Sequence, residues 1–306
     1  MYKTVIIILN WNGADLSIEC INSIKKLKNK DFKILLVDNG SGLECINQLE
    51  DYLLFNDEIE LLKFEKNEGF ARGNNLAIDY VKEKYNPQYF VLLNNDTIVS
   101  EDFLNGFYNQ LELFPNAYAF TSKVFYYDQP EILNYAGGNV SFFSGIAKHF
   151  GDGKVDQTRF KIVSQTGFMF GCSCLITRDS INRIGLFDEF FFANCEDTDY
   201  SLRIIKSGHD IIFCPDSVVF HKSHQTFRAN KGKSFAFYLS TRNIIYLQRK
   251  HLNNLLFPFF IIYFIPRWVL YLSFKLLRIK DYKSTFSIIR GFKDGLMISM
   301  KYKKNN

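Results

Sequence analysis

No CxxC pair occurs among the six cysteines, which stand at positions 20, 45, 172, 174, 195 and 214. That spacing excludes a zinc ribbon or a thioredoxin-type redox motif, and it fits reduced thiols in a cytoplasmic setting. Nothing ahead of the first apolar stretch is built like a secretory leader, because Val5 to Leu9 is too short for an h-region. Internal repeats and low-complexity segments are missing. So is an uncharged run of the roughly 18 residues that a spanning helix needs; Leu252 to Pro266 is strongly apolar but shorter. Carboxylates are nearly absent from one end. From Phe227 onward there are 16 Lys and Arg against 2 Asp, a net of +14, whereas the preceding 226 residues hold 21 basic and 30 acidic residues, a net of −9. The overall +5 therefore hides an acidic front and a basic tail, which points to two jobs. Apolar residues are plentiful: 47% of the chain is hydrophobic and 32 residues are Phe, which excludes a disordered chain and allows a sizeable core.

The front half alternates strand and helix. Residues 4–9, 32–37, 59–63 and 89–93 are short apolar runs of strand length, and helical spacing marks 15–26, 43–55, 71–85 and 102–114. Such alternation predicts right-handed βαβ crossovers and a parallel sheet, an α/β fold. Residues 117–126 and 217–220 read as further strands, and 196–207 and 234–251 as helices. Between them, Gly137, Gly138, Gly145, Gly151 and Gly153 mark a loop-rich stretch able to fold over a ligand. Gly167, Gly171, Cys172 and Ser173 make 166–177 a small-residue segment, suited to close approach of a ligand or to tight packing.

Three places carry chemistry. The strand at 89–93 ends in Asn94-Asn95-Asp96-Thr97. Ligands of open α/β sheets bind beyond the carboxyl ends of strands. A lone carboxylate among amide oxygens there suits a hard divalent cation shared with substrate phosphates, or else an Asn-rich turn. Glu196-Asp197-Thr198-Asp199 opens a helix just after the aromatic run Phe190 to Phe192. These carboxylates favour the helix dipole, yet one beside aromatic rings can also be raised toward the pKa of a general base. Asp199 and Arg203, spaced i,i+4, read as an exposed ion pair. His221 ends the strand at 217–220 and His224 follows it, with no zinc spacing.

Taken in order over roughly the first 250 residues, these pieces resemble the family 2 glycosyltransferases, inverting enzymes of GT-A fold, and most of all the rhamnosyltransferase-like branch. The matching segments are Val5-Ile-Ile-Ile-Leu-Asn-Trp-Asn-Gly13, Val37-Asp-Asn-Gly-Ser41, Asn67-Glu-Gly-Phe-Ala-Arg-Gly-Asn-Asn75, Leu92-Leu-Asn-Asn-Asp-Thr97, Gly185-Leu-Phe-Asp-Glu189 with Phe191-Phe192 and Glu196-Asp-Thr-Asp199, then His221 and Arg242-Asn243. The resemblance implies a GT-A catalytic unit over 1–230 that binds a nucleotide diphosphate-sugar through Asn10, Asn12, Asp38 (at the base edge), Asn67, Gly69, Asn75, Asn95 and Arg242. It implies Mg²⁺ or Mn²⁺ on Asp96 and His221 with Asn94 beside them, and Asp197, paired with Glu196, as the base. Asn94 stands where the family pattern has the first Asp of DxD, which leaves Asp96 the only carboxylate of the triplet.

The tail, 231–306, reads as a helical region in which Arg267, Lys275 and Arg278 form one narrow basic arc on an apolar helix. That pattern fits an in-plane helix on an anionic membrane surface better than a spanning helix kinked at Pro266 or a buried core helix. It is too apolar for nucleic acid. The expectation is a peripheral enzyme on the cytoplasmic face of the cell membrane, moving a sugar from a donor such as dTDP-rhamnose to a lipid-linked saccharide acceptor in surface-polysaccharide assembly. The rival readings are a nucleotidyltransferase, which should carry a Gly-rich triphosphate loop where this chain has Asn10-Trp-Asn-Gly13, and a non-catalytic scaffold that keeps the fold.

Overall fold

The computed structural model describes residues 3–222 and 232–305, with side chains to residue 299, so His224 lies outside the described residues. The chain runs β1 (Thr4–Asn10), α1 (Ala14–Ile24), β2 (Phe32–Asp38), α2 (Leu43–Leu53), β3 (Ile59–Lys63), α3 (Gly69–Tyr85), β4 (Tyr89–Asn94), β5 (Thr97–Val99) and α4 (Phe103–Leu111). Then follow β6 (Ala117–Tyr126), β7 (Gln129–Tyr135), a hairpin of β8 (Gly138–Val140) and β9 (Ala147–His149), β10 (Lys154–Val155), β11 (Ser164–Gln165) and β12 (Ser173–Thr177). After these come α5 (Arg178–Ile184), α6 (Glu196–Lys206) and β13 (Asp210–His221).

β3, β2, β1 and β4 lie side by side and parallel. Each is an apolar run because a central parallel strand is covered on both faces. Alternate residues split accordingly: Ile6, Ile8, Leu36, Val91 and Leu93 enter one core, Val5, Ile7, Val37, Phe90 and Leu92 the other. Beyond β4 the expected parallel pattern stops. β12 inserts antiparallel between β4 and β6, and β13 returns parallel to β6. The sheet is therefore mixed. The chain leaves β1 toward β3 on one side and resumes at β4 on the other, so a crevice opens at the carboxyl ends of β1 and β4.

The tail folds as α7 (Lys233–His251), α8 (Phe257–Phe264), a wide π-helical turn over Ile265–Leu270, α9 (Tyr271–Arg278) and α10 (Tyr282–Asn305). The π turn takes up Pro266, which has no N–H for the ladder. Phe257 to Arg278 is thus 22 residues of continuous helix, long and apolar enough to cross a membrane. Phe259, Ile262, Leu270, Tyr271, Phe274 and Leu277 on it are exposed, so it is not a core helix.

α7, although it lies beyond residue 230, packs against the segment ahead of α6 and against α6 itself. Asn243 donates to the carbonyls of Phe191, Ala193 and Asn194. Asp199, expected at the surface, is fully buried. It accepts from Arg203 Nε (2.8 Å), and its other oxygen takes Lys250 Nζ (2.8 Å) and His251 Nε2 (2.7 Å). Lys206 Nζ donates to His251 Nδ1, and burial depresses that imidazole, so a neutral ring gives its Nε2–H to Asp199. The i,i+4 spacing was real, but the second half of the network comes from a helix some 50 residues later. Burial would raise Asp199, but His251, Arg203 and Lys250 outweigh it and bring it to about 2 from 3.8. A carboxyl lowered in the folded state stabilises above its unfolded pKa and loses that as pH falls through its folded pKa. We expect Asp199→Asn to lower the unfolding free energy at pH 7 by about 3 kcal/mol in chemical denaturation. The gap to the parent protein should close between about pH 4 and pH 2.

Candidate active site

Asn10, at the end of β1, organises the mouth of the crevice. Its Nδ2 donates to Asp38 Oδ1 (2.8 Å), and its Oδ1 accepts from Ser17 Oγ (2.9 Å) and the Gly13 N–H (3.2 Å). Asn95 Nδ2 joins the cluster through Ser17 Oγ (3.1 Å). Asp38 takes the Ser41 N–H on its second oxygen (3.0 Å). Asn12, at φ +53°, is exposed and tied to the β2 loop by Ser41 Oγ and the Gly42 N–H.

The β4–β5 turn lays Asp96 beside the end of β13, because Thr97 pairs with His221 across the ladder and Lys222 N–H donates to the Asp96 carbonyl (2.8 Å). Asp96 is nearly buried, yet its Oδ1 accepts no hydrogen bond of good geometry; His221 Nε2 stands 3.3 Å from it. His221 Nδ1 faces Asn134 Oδ1 at 3.3 Å; burial would lower the imidazole, but Cys172 and Asp96 raise it well above its ordinary value, so a proton on Nε2 meets Asp96 when no metal is bound, and its loss frees that lone pair for a cation. Either a proton or a metal cation between these two atoms satisfies both. Adjacent ligands of an octahedral Mg²⁺-sized ion lie about 3 Å apart, so the pair fits a divalent metal. Among the described residues no cluster of three or more His, Cys, Asp or Glu could hold a metal. A metal here would take its remaining ligands from substrate phosphates and water. Asn94 is half-buried with its backbone N–H on the Cys172 carbonyl (2.9 Å), and its side chain has no protein partner among the described residues.

Three residues, Phe170-Gly171-Cys172, join this pair to the carboxylates of α6. The Phe170 ring meets His221 edge-on at 6.1 Å, and the Gly171 N–H donates to Asp197 Oδ2 (3.1 Å). A Cβ on Gly171 would stand 3.2 Å from that oxygen, which is why a small residue is needed. Asp197 Oδ1 takes the Thr198 N–H (2.7 Å), so its carboxylate is fixed from both sides. Burial raises the Asp197 carboxyl, against the pull of the Gly171 and Thr198 N–H groups and of nearby His149. Glu196 is more deeply buried, with one oxygen unpartnered, and is raised further by burial and by the charge of Asp197.

Residues 5–185 match the glycosyl transferase family 2. The chain belongs to that family. It is 28% identical to the rhamnosyltransferase WbbL of Escherichia coli over 232 residues, covering 73% of this chain and 85% of the relative. It is 22% identical to the dTDP-rhamnosyl transferase RfbF of Shigella flexneri over 200 residues, covering 65% and 62%. A solved mannosyltransferase from Pyrobaculum calidifontis, in complex with GDP-Man and Mn²⁺, superposes with a TM-score of 0.57 at 12% identity, over 97% of this chain and 87% of that one. The fold is GT-A, as the motifs implied.

In this glycosyltransferase several residues expected at the donor also make hydrogen bonds within the protein. Asp38 is fully buried and accepts one hydrogen bond on each oxygen, so it shapes the loop. Asn75 binds the Phe187 backbone through both its amide atoms (2.9 and 3.0 Å). Arg242 donates to Asn243 and to the carbonyls of Phe190 and Phe191, with its guanidinium over the Phe190 ring. Asn67 caps its own turn by accepting from the Gly69 N–H (2.8 Å). Gly69 has φ +80°, and a Cβ there would lie 2.5 Å from Phe192, so it joins α3 to the aromatic segment before α6. In each polar case hydrogen bonding within the protein competes with ligand binding. Asn134, His149 and Phe170 went unnoticed in the sequence. Asn134 holds both imidazoles, His221 through its side chain and His149 through its carbonyl (3.1 Å), and nothing local to β7 signals that.

Proposed function

We propose that this chain moves a sugar, with inversion, from a nucleotide diphosphate-sugar to a lipid-linked saccharide in surface-polysaccharide assembly at the cytoplasmic face of the membrane. The observation that carries the reading is the buried Asp96 Oδ1, 3.3 Å from His221 Nε2 with no hydrogen bond of good geometry, joined through Phe170-Gly171-Cys172 to the fixed carboxylate of Asp197. Asp197 accepts the proton of the acceptor hydroxyl. The freed oxygen attacks the anomeric carbon from the face opposite the diphosphate, and the bond to the leaving oxygen breaks as the nucleoside diphosphate departs. One carboxylate serves as base, as in inverting glycosidases. Asp96 and His221 would hold Mg²⁺ or Mn²⁺, which neutralises charge on the departing diphosphate in place of a general acid. Asn94, with its amide unengaged, and exposed Asn12 lie where the donor enters. Asn10, Asp38 and Asn95 keep that entrance in shape.

Rhamnose and a dTDP donor are favoured by the names of the two relatives, and a lipid-linked acceptor by the exposed apolar helix 257–278 with its basic arc. Full-length protein with dTDP-rhamnose, a prenyl-diphosphate-linked saccharide and Mn²⁺ should yield a rhamnosylated lipid of opposite anomeric configuration. It should also float with anionic vesicles, less so as salt rises and the attraction is screened. No product on the lipid-linked saccharide, or retained configuration at the anomeric carbon, overturns the reading.

A further inference from the structure

We propose that the tip of the β8–β9 hairpin is a second membrane-insertion element, which sets the catalytic cleft against an anionic bilayer. This rests on the reading of the tail as membrane-associated, but the element lies in the catalytic unit, about 110 residues before the apolar helix. The turn is closed by the Ser141 N–H on the Ile146 carbonyl (3.0 Å) and the Gly145 N–H on the Ser141 carbonyl (2.8 Å). It holds Phe142 and Ile146 out to solvent, 67% and 42% exposed. Behind them the backbone is clamped. Gln248 of α7, itself 2% exposed, donates Nε2 to the carbonyls of Phe142 (3.1 Å) and Phe143. Phe143 turns inward, with its ring edge-on to Phe260 (6.5 Å) and Tyr263 (5.4 Å) of α8.

The tip is therefore fixed to the apolar helix, which itself exposes Phe259 and Ile262 (61% and 68%). Single exposed apolar side chains are ordinary, whereas two on a braced tip that packs on an exposed apolar helix mark an interaction surface. The charge pattern selects the occupant. Residues 138–150 contain no carboxylate, and neither do residues 233–280. Lys148 lies on the hairpin, and the Arg267 guanidinium sits over the Tyr263 ring at 5.7 Å. Apolar groups on segments that carry cations and no carboxylate fit a bilayer carrying anionic lipid. At its root the hairpin reaches the cleft, since His149 packs on Phe170 at 4.6 Å and Gly171, next to Phe170, binds Asp197. From Ile146 to His149 is about 10 Å of extended chain. Insertion of the tip would hold the base near headgroup depth, where a lipid-linked hydroxyl lies.

The test uses full-length protein and vesicles of phosphatidylcholine with phosphatidylglycerol. Phe142→Asp combined with Ile146→Asp changes only exposed side chains, so the melting temperature should match the parent. Vesicle affinity should fall about tenfold or more, the worth of two desolvated apolar side chains lost from an interface. In a second protein, Phe142→Trp should add indole emission that brominated phosphatidylcholine in the vesicles quenches. Unchanged affinity, or added emission that bromolipid leaves untouched, overturns the inference and leaves the tail reading in place. Absence of vesicle binding by the unmodified protein overturns the tail reading, and the inference with it.

Discussion

Asp197→Asn is expected to lower turnover by at least about 10²-fold, the usual worth of a positioned general base. Donor affinity should stay near that of the parent protein. The substitution keeps size and still offers an oxygen to the Gly171 or Thr198 N–H, so the start of α6 should hold. What it removes is basicity. The prediction separates two adjacent carboxylates that sequence alone could not rank. Glu196 is the more buried and the more strongly raised, so near neutral pH it holds its proton and is no base. Glu196→Gln should therefore cost much less. Burial also sets the pH profile. A base must be deprotonated to act, so turnover falls as pH drops through the Asp197 pKa. Because that pKa is raised, the acid limb should lie above the ordinary value of 3.8. An inactive Glu196→Gln beside an active Asp197→Asn would show that the roles are reversed.

Much of this arrangement was legible in the sequence, and the reason is locality. β1, β2 and β4 are short apolar runs whose ends carry Asn10, Asp38 and Asn94 to Asp96, and a parallel sheet brings such ends to one edge. The antiparallel insertion of β12 between β4 and β6 was not legible, because residues 173–177 look the same whichever neighbour they pair with. Nor was the meeting of Asp96 with His221, 125 residues apart, readable from spacing; it came only through family resemblance. The structural engagement of polar motif residues was not legible either. Asp38, Asn75 and Arg242 occupy motif positions, and their polar atoms also serve neighbouring backbone and side chains, which a sequence does not show. The charge step at Phe227 does not separate the contacts of the two regions. Lys250 and His251 belong to the basic tail by composition and to the buried surroundings of Asp199 by contact.

Asp96→Ala should abolish turnover and the metal-dependent part of nucleotide binding while leaving the fold intact. A buried carboxylate is usually costly to delete, because removing one member of a satisfied pair strands the other. Here the carboxylate is itself the strained member, with Oδ1 buried and accepting no good hydrogen bond. An unsatisfied buried polar atom costs about 1–3 kcal/mol, so in EDTA the variant should melt no lower than the parent protein. Manganese should then separate them. A ligand that binds only the native state stabilises it by about 2.7 kcal/mol at a hundredfold excess over its dissociation constant. The parent protein should gain such a shift with Mn²⁺ and nucleoside diphosphate together, and the variant should gain none. His221→Ala should reduce the shift as well, since Nε2 is the second donor. Asn94→Asp should enlarge it, by adding a second carboxylate to a triplet that has one. Full transfer activity in EDTA, or in Asp96→Ala, ends the metal assignment. A variant that melts well below its parent in EDTA would mean instead that Asp96 is held by an ordinary ion pair with protonated His221, and that the space between them is filled by a proton and not by a metal.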